Sequence, residues 1–240
     1  MHFHLPKPLH GWREFAGEVG IIVIGVLIAL GAEQMVENLH WRMEVRETDQ
    51  RVQKDVVANL TNGEERFAID PCLRPRLIEL RDALLVDRPI WPGSEARFAS
   101  DVYKSEFPSV YRTPVRPWSE TSWHTAENGE TLSHFDPARV QQLAPLFDDA
   151  DALREAQAEE VKTSEDLGDL AFRGSITAAE RRSHLKTIAK LDALDSRILY
   201  LVGILRSDAR NANIAPDPNS VRKAIMQQRA YRGACVKSGS

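Results

Sequence analysis

An uninterrupted apolar run extends from Val19 to Ala32, and its 14 residues include no charged or strongly hydrogen-bonding side chain. As a helix this run spans about 21 Å, which is less than the roughly 30 Å of a bilayer's hydrocarbon core. Extension to residues 15–36 gives about 33 Å and places Glu18 and Glu33 near the ends, where long side chains reach the headgroups. The run therefore predicts a transmembrane helix over residues 15–36.

Two other interpretations of this segment stay open. A cleavable secretory signal also has basic residues before a short apolar region, and Ala29 and Gly31 are small enough to precede a cleavage site. Glu14 and Glu18 are unusual in the first part of such a signal, and the helical pattern continues past the cleavage position. A buried core helix of a soluble protein can have the same length. We favour a single-pass membrane anchor.

The flanks and the small residues of the segment predict how it sits in the bilayer. Trp12 and Trp41 lie on either side, where aromatic residues anchor helices at the membrane interface. Small residues four positions apart let helix backbones approach closely in lipid. Two such pairs are predicted to pack against another membrane protein or another copy of the chain: Ala16 with Gly20, and Gly25 with Ala29.

The two cysteines, Cys72 and Cys235, predict which side of the membrane carries the main domain. They are far apart and neither has a metal-ligand spacing, so we expect a structural disulfide of the kind that forms in oxidising compartments. In the chain-entropy model, closing a loop of about 160 residues stabilises a fold by about 4 to 5 kcal/mol. Lysine and arginine counts do not decide the orientation. The disulfide favours a cytoplasmic tail over residues 1–14 and a periplasmic domain, at a bacterial inner membrane.

Composition excludes several classes of protein. The mean hydropathy of −0.36 does not fit a protein with many membrane spans. The net charge of −4 includes no basic stripe, so nucleic acid is not an expected partner. No phosphate-binding glycine loop, zinc-protease motif or nucleophile elbow occurs in the sequence, so no cofactor, metal or catalytic residue is predicted.

Beyond the anchor the pattern is helical throughout. Residues 37–62 carry an apolar stripe on a charged background and predict a stalk helix that continues the anchor and stops at Asn62–Gly63. A helical extracytoplasmic domain over residues 63–240 follows, whose first helix opens at Asp70–Pro71. Later helix starts are predicted at Ser119, at Asp136–Pro137, at the Thr177–Glu180 capping box and at Asn219 or Ser220. The predicted fold class is an all-α antiparallel bundle on a membrane-anchored stalk.

Residues 89–118 interrupt this pattern. Five prolines alternate here with six aromatic residues, which favours a packed irregular excursion, with a short helix near residues 94–104, over a flexible linker. An aromatic-rich excursion could line a ligand pocket between Trp91 and Trp123.

The N-terminal motifs Lys7–Phe15, Gly17–Ile22, Gly25–Gln34 and His40–Arg42 resemble those of a family of uncharacterised bacterial single-pass membrane proteins. The resemblance is close over residues 3–45 and looser around Pro71–Cys72, Arg76–Leu77, Leu80, Trp123, Ala126 and the helix after Asp136. It implies an N-terminal transmembrane helix and a helical extracytoplasmic domain with a cysteine near the second helix. It implies no activity, substrate or catalytic residue.

Three functions are therefore carried forward. The first is a membrane-anchored helical interaction protein, an accessory or scaffold subunit whose partners are the lipid bilayer and another membrane protein or its own copies. The second is a periplasmic sensor or ligand-binding domain that uses the aromatic excursion. The third is an enzyme whose site the sequence does not reveal.

Overall fold

The computed structural model describes residues 11–94 and 109–237. Its helices are α1 (Trp12–Leu85), α2 (Thr121–Asn128), α3 (Pro137–Glu165), α4 (Ala178–Asn211) and α5 (Pro218–Arg232). Short 3₁₀ turns cover Thr131–His134, Gly168–Ala171 and Gly233–Cys235. Two-residue strands β1 (Ile90–Trp91) and β2 (Gly174–Ser175) pair antiparallel. The protein is all-α, as the sequence predicts.

α1 is longer than predicted, because it does not stop at Asn62–Gly63. The predicted end of the stalk at residue 62 is wrong. Gly63 is buried against α4, and a Cβ atom at this position would lie 2.6 Å from Val202 Cγ1. Glycine at position 63 therefore permits a close approach of two helices and does not terminate one.

The separate helix predicted to open at Asp70–Pro71 is also absent, since α1 passes through both Pro71 and Pro75. Each proline lacks the N–H that would bond the carbonyl four residues earlier, which normally ends or kinks a helix. Ile69, Leu73 and Leu77 are at most 2% exposed around these positions. Burial of this face on both sides of the prolines offsets the lost hydrogen bonds.

Contacts along the helices give their relative directions. α1 runs antiparallel to α4, because Gly63 meets Val202 while Arg181, near the start of α4, donates to the carbonyl of Leu84 at 3.0 Å. α3 and α4 are also antiparallel, since Lys190 pairs with Glu159 near the end of α3. The arrangement is the predicted antiparallel helical bundle, with α1 as its longest member.

Two apolar clusters form the core, and α1 contributes to both. The first cluster surrounds Val52, Val56 and Leu60 of α1, which pack with α2, α3 and the second half of α4. The second surrounds residues 68–84 of α1 and includes α5 and the first half of α4. Because packing begins at about Val45, most of the predicted stalk is part of the folded domain.

The predicted helix starts hold at two positions. Asp136 accepts a hydrogen bond from the Ala138 N–H at 2.9 Å, and Thr177 with Glu180 forms the capping box. α5 begins slightly earlier than expected, at Pro218, with Asp217 as its N-cap.

Ser119 does not cap α2, whose N-cap is Glu120. Asn59 of α1 instead holds the backbone of Ser119 through two hydrogen bonds, of 2.7 Å to its N–H and 2.9 Å to its carbonyl. The contact ties the chain before α2 to α1.

The proline- and aromatic-rich excursion contributes to the core. Trp91, Tyr111 and Trp118 are 4%, 4% and 7% exposed, so these aromatic rings fill the two apolar clusters and do not line an open pocket. Trp91 Nε1 donates to the carbonyl of Leu170 at 2.7 Å. The short helix predicted near residues 94–104 falls almost wholly on residues 95–108, outside the described residues.

Gly63→Ala is expected to lower the free energy of unfolding by about 1–3 kcal/mol, because the added Cβ overpacks the contact with Val202. Gly203→Ala is the matched control, since nothing lies within 4 Å of a Cβ at that neighbouring helical position. There we expect a gain of about 0.5–1 kcal/mol from helix propensity. Thermal unfolding followed by tryptophan fluorescence measures both, and equal stability of the two variants would contradict the close approach.

Candidate functional site

The apolar part of α1 is uncovered by the rest of the described chain. Its most apolar 18-residue window has a mean hydropathy of 2.3, and none of that window is buried. Ile21, Leu27 and Ile28 are 75%, 62% and 67% exposed. This argues against the interpretation as a buried core helix. By length and composition, the start of α1 could cross a membrane.

The two small-residue pairs lie on opposite sides of this helix. Ala16 and Gly25 are nine positions apart, which at about 100° per residue is a rotation of about 180°. A Cβ at Gly20 or Gly25 would meet nothing within 4 Å among the described residues. The pairs Ala16/Gly20 and Gly25/Ala29 therefore form two separate surfaces, each open to a different neighbouring helix.

The two tryptophans proposed as interfacial anchors differ. Trp12 is 80% exposed and its role as an anchor stays a prediction. Trp41 is only partly exposed, because its ring stacks on that of His134 at 3.8 Å between centroids and 15° between planes. The stacking joins α1 to the 3₁₀ turn before α3. Trp41 thus marks the point where the helix enters the folded domain.

The cysteines predicted to pair form a disulfide, which joins α1 to the 3₁₀ turn after α5. The two residues are 163 positions apart, and their Cα atoms are 5.1 Å apart. The next segment also binds α1, since the Lys237 N–H donates to the carbonyl of Ala68 at 2.9 Å and Val236 is 1% exposed. The last described residues are therefore fastened beside the Pro71 turn of α1.

A buried ionic cluster lies between the two apolar clusters and joins three helices. Arg66 of α1 donates to Glu160 of α3, with 3.2 Å from Nη1 to Oε2, and to Asp195 of α4, with 2.7 Å from Nη2 to Oδ1. The side chains of Glu160 and Asp195 are 0% exposed and that of Arg66 is 5% exposed. The two carboxylates raise the pKa of Arg66 against the opposing effect of burial, so the guanidinium stays charged.

The second carboxyl oxygen of Asp195 has a different environment. Asp195 Oδ2 and Asp70 Oδ1 are buried without a hydrogen bond in the described structure, and Arg74 lies 4.0 Å and 3.9 Å from them. Burial raises the pKa of Asp195, and the nearby Asp70 carboxyl adds to the rise while Arg66 opposes it. The cluster therefore holds a proton more readily than a solvated aspartate does.

A cleft of about 580 Å³ opens between the end of the excursion and α5. Arg116, one of its lining residues, donates from Nε to Glu65 Oε2 at 2.6 Å, and Gln228 donates to Glu65 Oε1 at 2.7 Å. Arg232 donates to Gln228 and to the carbonyl of Arg112. This basic cleft opens beside the described part of the excursion, whereas Phe98, Tyr103 and Phe107 of the predicted aromatic pocket lie outside the described residues.

Among residues 11–94 and 109–237, no group of three or more histidine, cysteine, aspartate or glutamate side chains is arranged to hold a metal ion.

Asp149 on α3 is a second carboxyl group whose charged form is disfavoured by its surroundings. Burial raises its pKa to about 6, with further contributions from Asp208 of α4 and the neighbouring Asp148. Its Oδ2 atom is buried with no hydrogen bond in the described structure. The charged form is therefore disfavoured where α3 meets α4.

Because the folded-state pKa of Asp149 lies above its ordinary value, its favourable contribution is present at about pH 4 and is lost as the pH rises through 6. Asp149→Asn is expected to raise the free energy of unfolding at pH 8 by about 1 kcal/mol, discounted for partial exposure, and by much less at pH 4. Asp148→Asn, at an exposed position, is the control and should change stability by less than about 0.5 kcal/mol. Urea unfolding at both pH values measures this, and a pH-independent gain would contradict the assignment.

No family model matches the chain, and neither a curated protein nor a solved structure shows significant similarity to it. The class of protein that the observations define is an all-α bundle whose longest helix begins with an exposed segment that has the length and apolar composition of a membrane span. The resemblance of residues 3–45 to a single-pass membrane family stays a prediction.

Proposed function

We propose that this chain is a membrane-anchored helical interaction protein that acts as an accessory or scaffold subunit of a bacterial inner-membrane complex. The continuity of α1 carries the proposal. Residues 15–36 of this helix form the apolar segment, and the same helix supplies part of both apolar clusters of the folded domain. A partner that binds the membrane segment would therefore also fix the orientation of the domain.

The disulfide between Cys72 and Cys235 supports a periplasmic location for the domain, because such bonds persist in oxidising compartments. With the domain on that side, residues 1–14 lie in the cytoplasm. A reporter fused after Ser240 is expected to be active only when it is of a type that folds in the periplasm. Activity of a cytoplasmic reporter alone would contradict this topology.

The two small-residue surfaces support a partner within the membrane. The pairs Ala16/Gly20 and Gly25/Ala29 lie on opposite sides of the helix, and a Cβ at Gly20 or Gly25 would meet nothing within 4 Å in the described part of the chain. Small residues allow the close packing that drives helix association in lipid. One of these two surfaces can bind another membrane protein while the opposite surface binds a second copy of the chain. The transmembrane helix would then have a neighbouring helix on each side.

Crosslinking in membranes followed by purification in mild detergent tests the proposal. We expect a stoichiometric membrane partner or a dimer. Gly20→Leu or Gly25→Leu should weaken it by at least about fivefold, since forcing a large side chain into a closely packed contact costs about 1–3 kcal/mol. Ile22→Leu, at an exposed apolar position, is the matched control and should have no effect. A monomer without any partner would contradict the scaffold function.

A specific observation also supports a periplasmic ligand-binding domain. The cleft of about 580 Å³ between residues 112–116 and α5 carries Arg112, Arg116 and Arg232, a composition suited to an anionic ligand. A purified monomer whose melting temperature rises with an anionic small molecule would favour this second function over the scaffold.

A further inference from the structure

A second cavity, of about 470 Å³, lies where α1 enters the folded domain. One wall is the face of α1 that carries Arg42 and Arg46, and the opposite wall is formed by His134, Phe135 and the start of α3. Trp41 closes one side through its stacking on His134. The cavity is thus held between two elements whose relative position is fixed by a ring contact.

The acidic groups of this cavity are already engaged. Asp49 accepts from Arg139 Nε at 2.9 Å and from Gln53 Nε2 at 2.5 Å. Asp136 caps α3 by accepting from the Ala138 N–H at 2.9 Å. Arg139 is occupied in turn, since its second donor binds the carbonyl of Ala212. The charge of Asp49 is therefore balanced by Arg139, and Asp136 is held by the N-terminus of α3.

Unlike the other charged residues of this cavity, Arg42 and Arg46 have no partner among the described residues. Both are exposed, and within the described part of the chain neither forms an ion pair or a side-chain hydrogen bond. They are four positions apart on one helix face, a spacing at which like charges repel. An anion bound between them would remove this repulsion, and a guanidinium fork matches the geometry of a phosphate.

The position of these arginines identifies the source of the phosphate. If the apolar span ends at Val36, Arg42 and Arg46 follow it by about 9 Å and about 15 Å along the helix. The headgroup layer of one leaflet is about 5–7 Å thick. Side chains of a helix lean towards its N-terminus, which here is the direction of the bilayer, and long basic side chains extend to the interface. This lean brings the guanidinium groups of Arg42 and Arg46 closer to the headgroups than their own Cα atoms.

We propose that Arg42 and Arg46 bind the phosphate of an anionic phospholipid in the leaflet next to the folded domain. This inference rests on the membrane anchoring proposed above. Lipid bound in this cavity would contact α1 and the turn before α3 together. The site would therefore hold the domain at a defined height and tilt above the membrane.

The test uses the full chain in vesicles of phosphatidylcholine alone or of an equimolar mixture with phosphatidylglycerol. After extraction into mild detergent, mass spectrometry measures the phosphatidylglycerol retained per protein. We expect the wild type to retain this lipid preferentially. Arg42→Gln/Arg46→Gln should reduce its affinity about 30-fold, since each arginine near an anionic surface contributes about fivefold.

Arg51→Gln/Lys54→Gln is the matched control, because it removes the same charge from the same helix outside the cavity. Arg51 follows Val36 by about 22 Å, so it lies about 15 Å beyond the outer edge of the headgroup layer, whereas Arg46 lies about 8 Å beyond it. Only the first distance exceeds the Debye length of about 10 Å, so the control variant should retain the lipid like the wild type. Both double variants should melt within a few degrees of the wild type in phosphatidylcholine. All four positions are exposed, and the ion pairs of Arg51 with Glu44 and Glu47 are of the partly exposed kind that contributes about 1 kcal/mol or less.

Equal lipid retention by Arg42→Gln/Arg46→Gln and the wild type would overturn the proposal. Displacement of the lipid by millimolar inorganic phosphate would also overturn it, because the site would then bind free anions. Alkaline extraction of the same vesicles distinguishes a failure of the headgroup site from a failure of the membrane anchor. A chain that stays inserted without lipid preference contradicts the headgroup site alone, whereas a chain that is extracted contradicts the membrane anchor and the headgroup site together.

Discussion

Arg66→Met is expected to lower the free energy of unfolding by about 3–5 kcal/mol at pH 8, because it strands two buried carboxylates without their shared cation. Glu160 and Asp195 are both 0% exposed, and Arg66 is the guanidinium that bonds to each of them. Urea unfolding of the full chain in mild detergent, followed by the fluorescence of the buried tryptophans, measures the loss.

Lys190→Met is the matched control for this variant. Lys190 pairs with Glu159, the residue next to Glu160, but these two side chains are 53% and 42% exposed. Exposed ion pairs contribute little, so we expect a loss below about 1 kcal/mol. If Arg66→Met and Lys190→Met lowered the free energy of unfolding by similar amounts, burial would not explain the effect of Arg66→Met.

The pH dependence of Arg66→Met gives a second check. Without the guanidinium, nothing from Arg66 opposes the rise that burial causes in the pKa of Asp195, so the variant gains stability as the pH falls from 8 to 5. The triple variant Arg66→Met/Glu160→Gln/Asp195→Asn removes the three charges of the buried cluster. It should recover most of the stability that Arg66→Met loses. A triple variant as unstable as Arg66→Met would point to lost packing as the cause.

The sequence could have indicated this cluster, since its members occupy apolar positions of regular helix patterns. Asp195 falls between Leu191 and Ile198 on α4, and Glu160 follows Leu153 and Ala156 on α3. A charge in such a register is normally solvated or paired, and only the three-dimensional arrangement shows its partner. The pairing of Arg66 with residues 94 and 129 positions away is invisible to local patterns.

The sequence predicts best the features that depend on neighbouring residues, such as helix caps and helical periodicity. The capping groups of Asp136 and Thr177 act within three residues, and the helical periodicity gave the all-α class. Gly63 and Pro71 do not end a helix as their local effect predicts, because packing against α4 and burial in the second cluster outweigh that effect. The stacking of Trp41 on His134 is likewise a contact between distant elements.

Removal of the disulfide, by Cys72→Ser/Cys235→Ser or by reductant, should lower the free energy of unfolding by about 2–5 kcal/mol. The bond closes a loop over a sequence separation of 163, which restricts the unfolded chain strongly. For a protein of this size we expect the melting temperature to fall by about 5–15 °C. Non-reducing gels should also show a mobility shift that Cys72→Ser abolishes.

The position of the disulfide predicts which segment becomes less stable first when the bond is removed. Without it, the segment that carries Val236 and Lys237 keeps one backbone hydrogen bond to Ala68, so hydrogen exchange should accelerate in residues 233–237 and at the end of α5 before it does in α3. Reductant should change the wild type and leave Cys72→Ser/Cys235→Ser unaffected. Equal free-thiol counts with and without reductant would contradict the disulfide, and with it the argument that places the domain in an oxidising compartment.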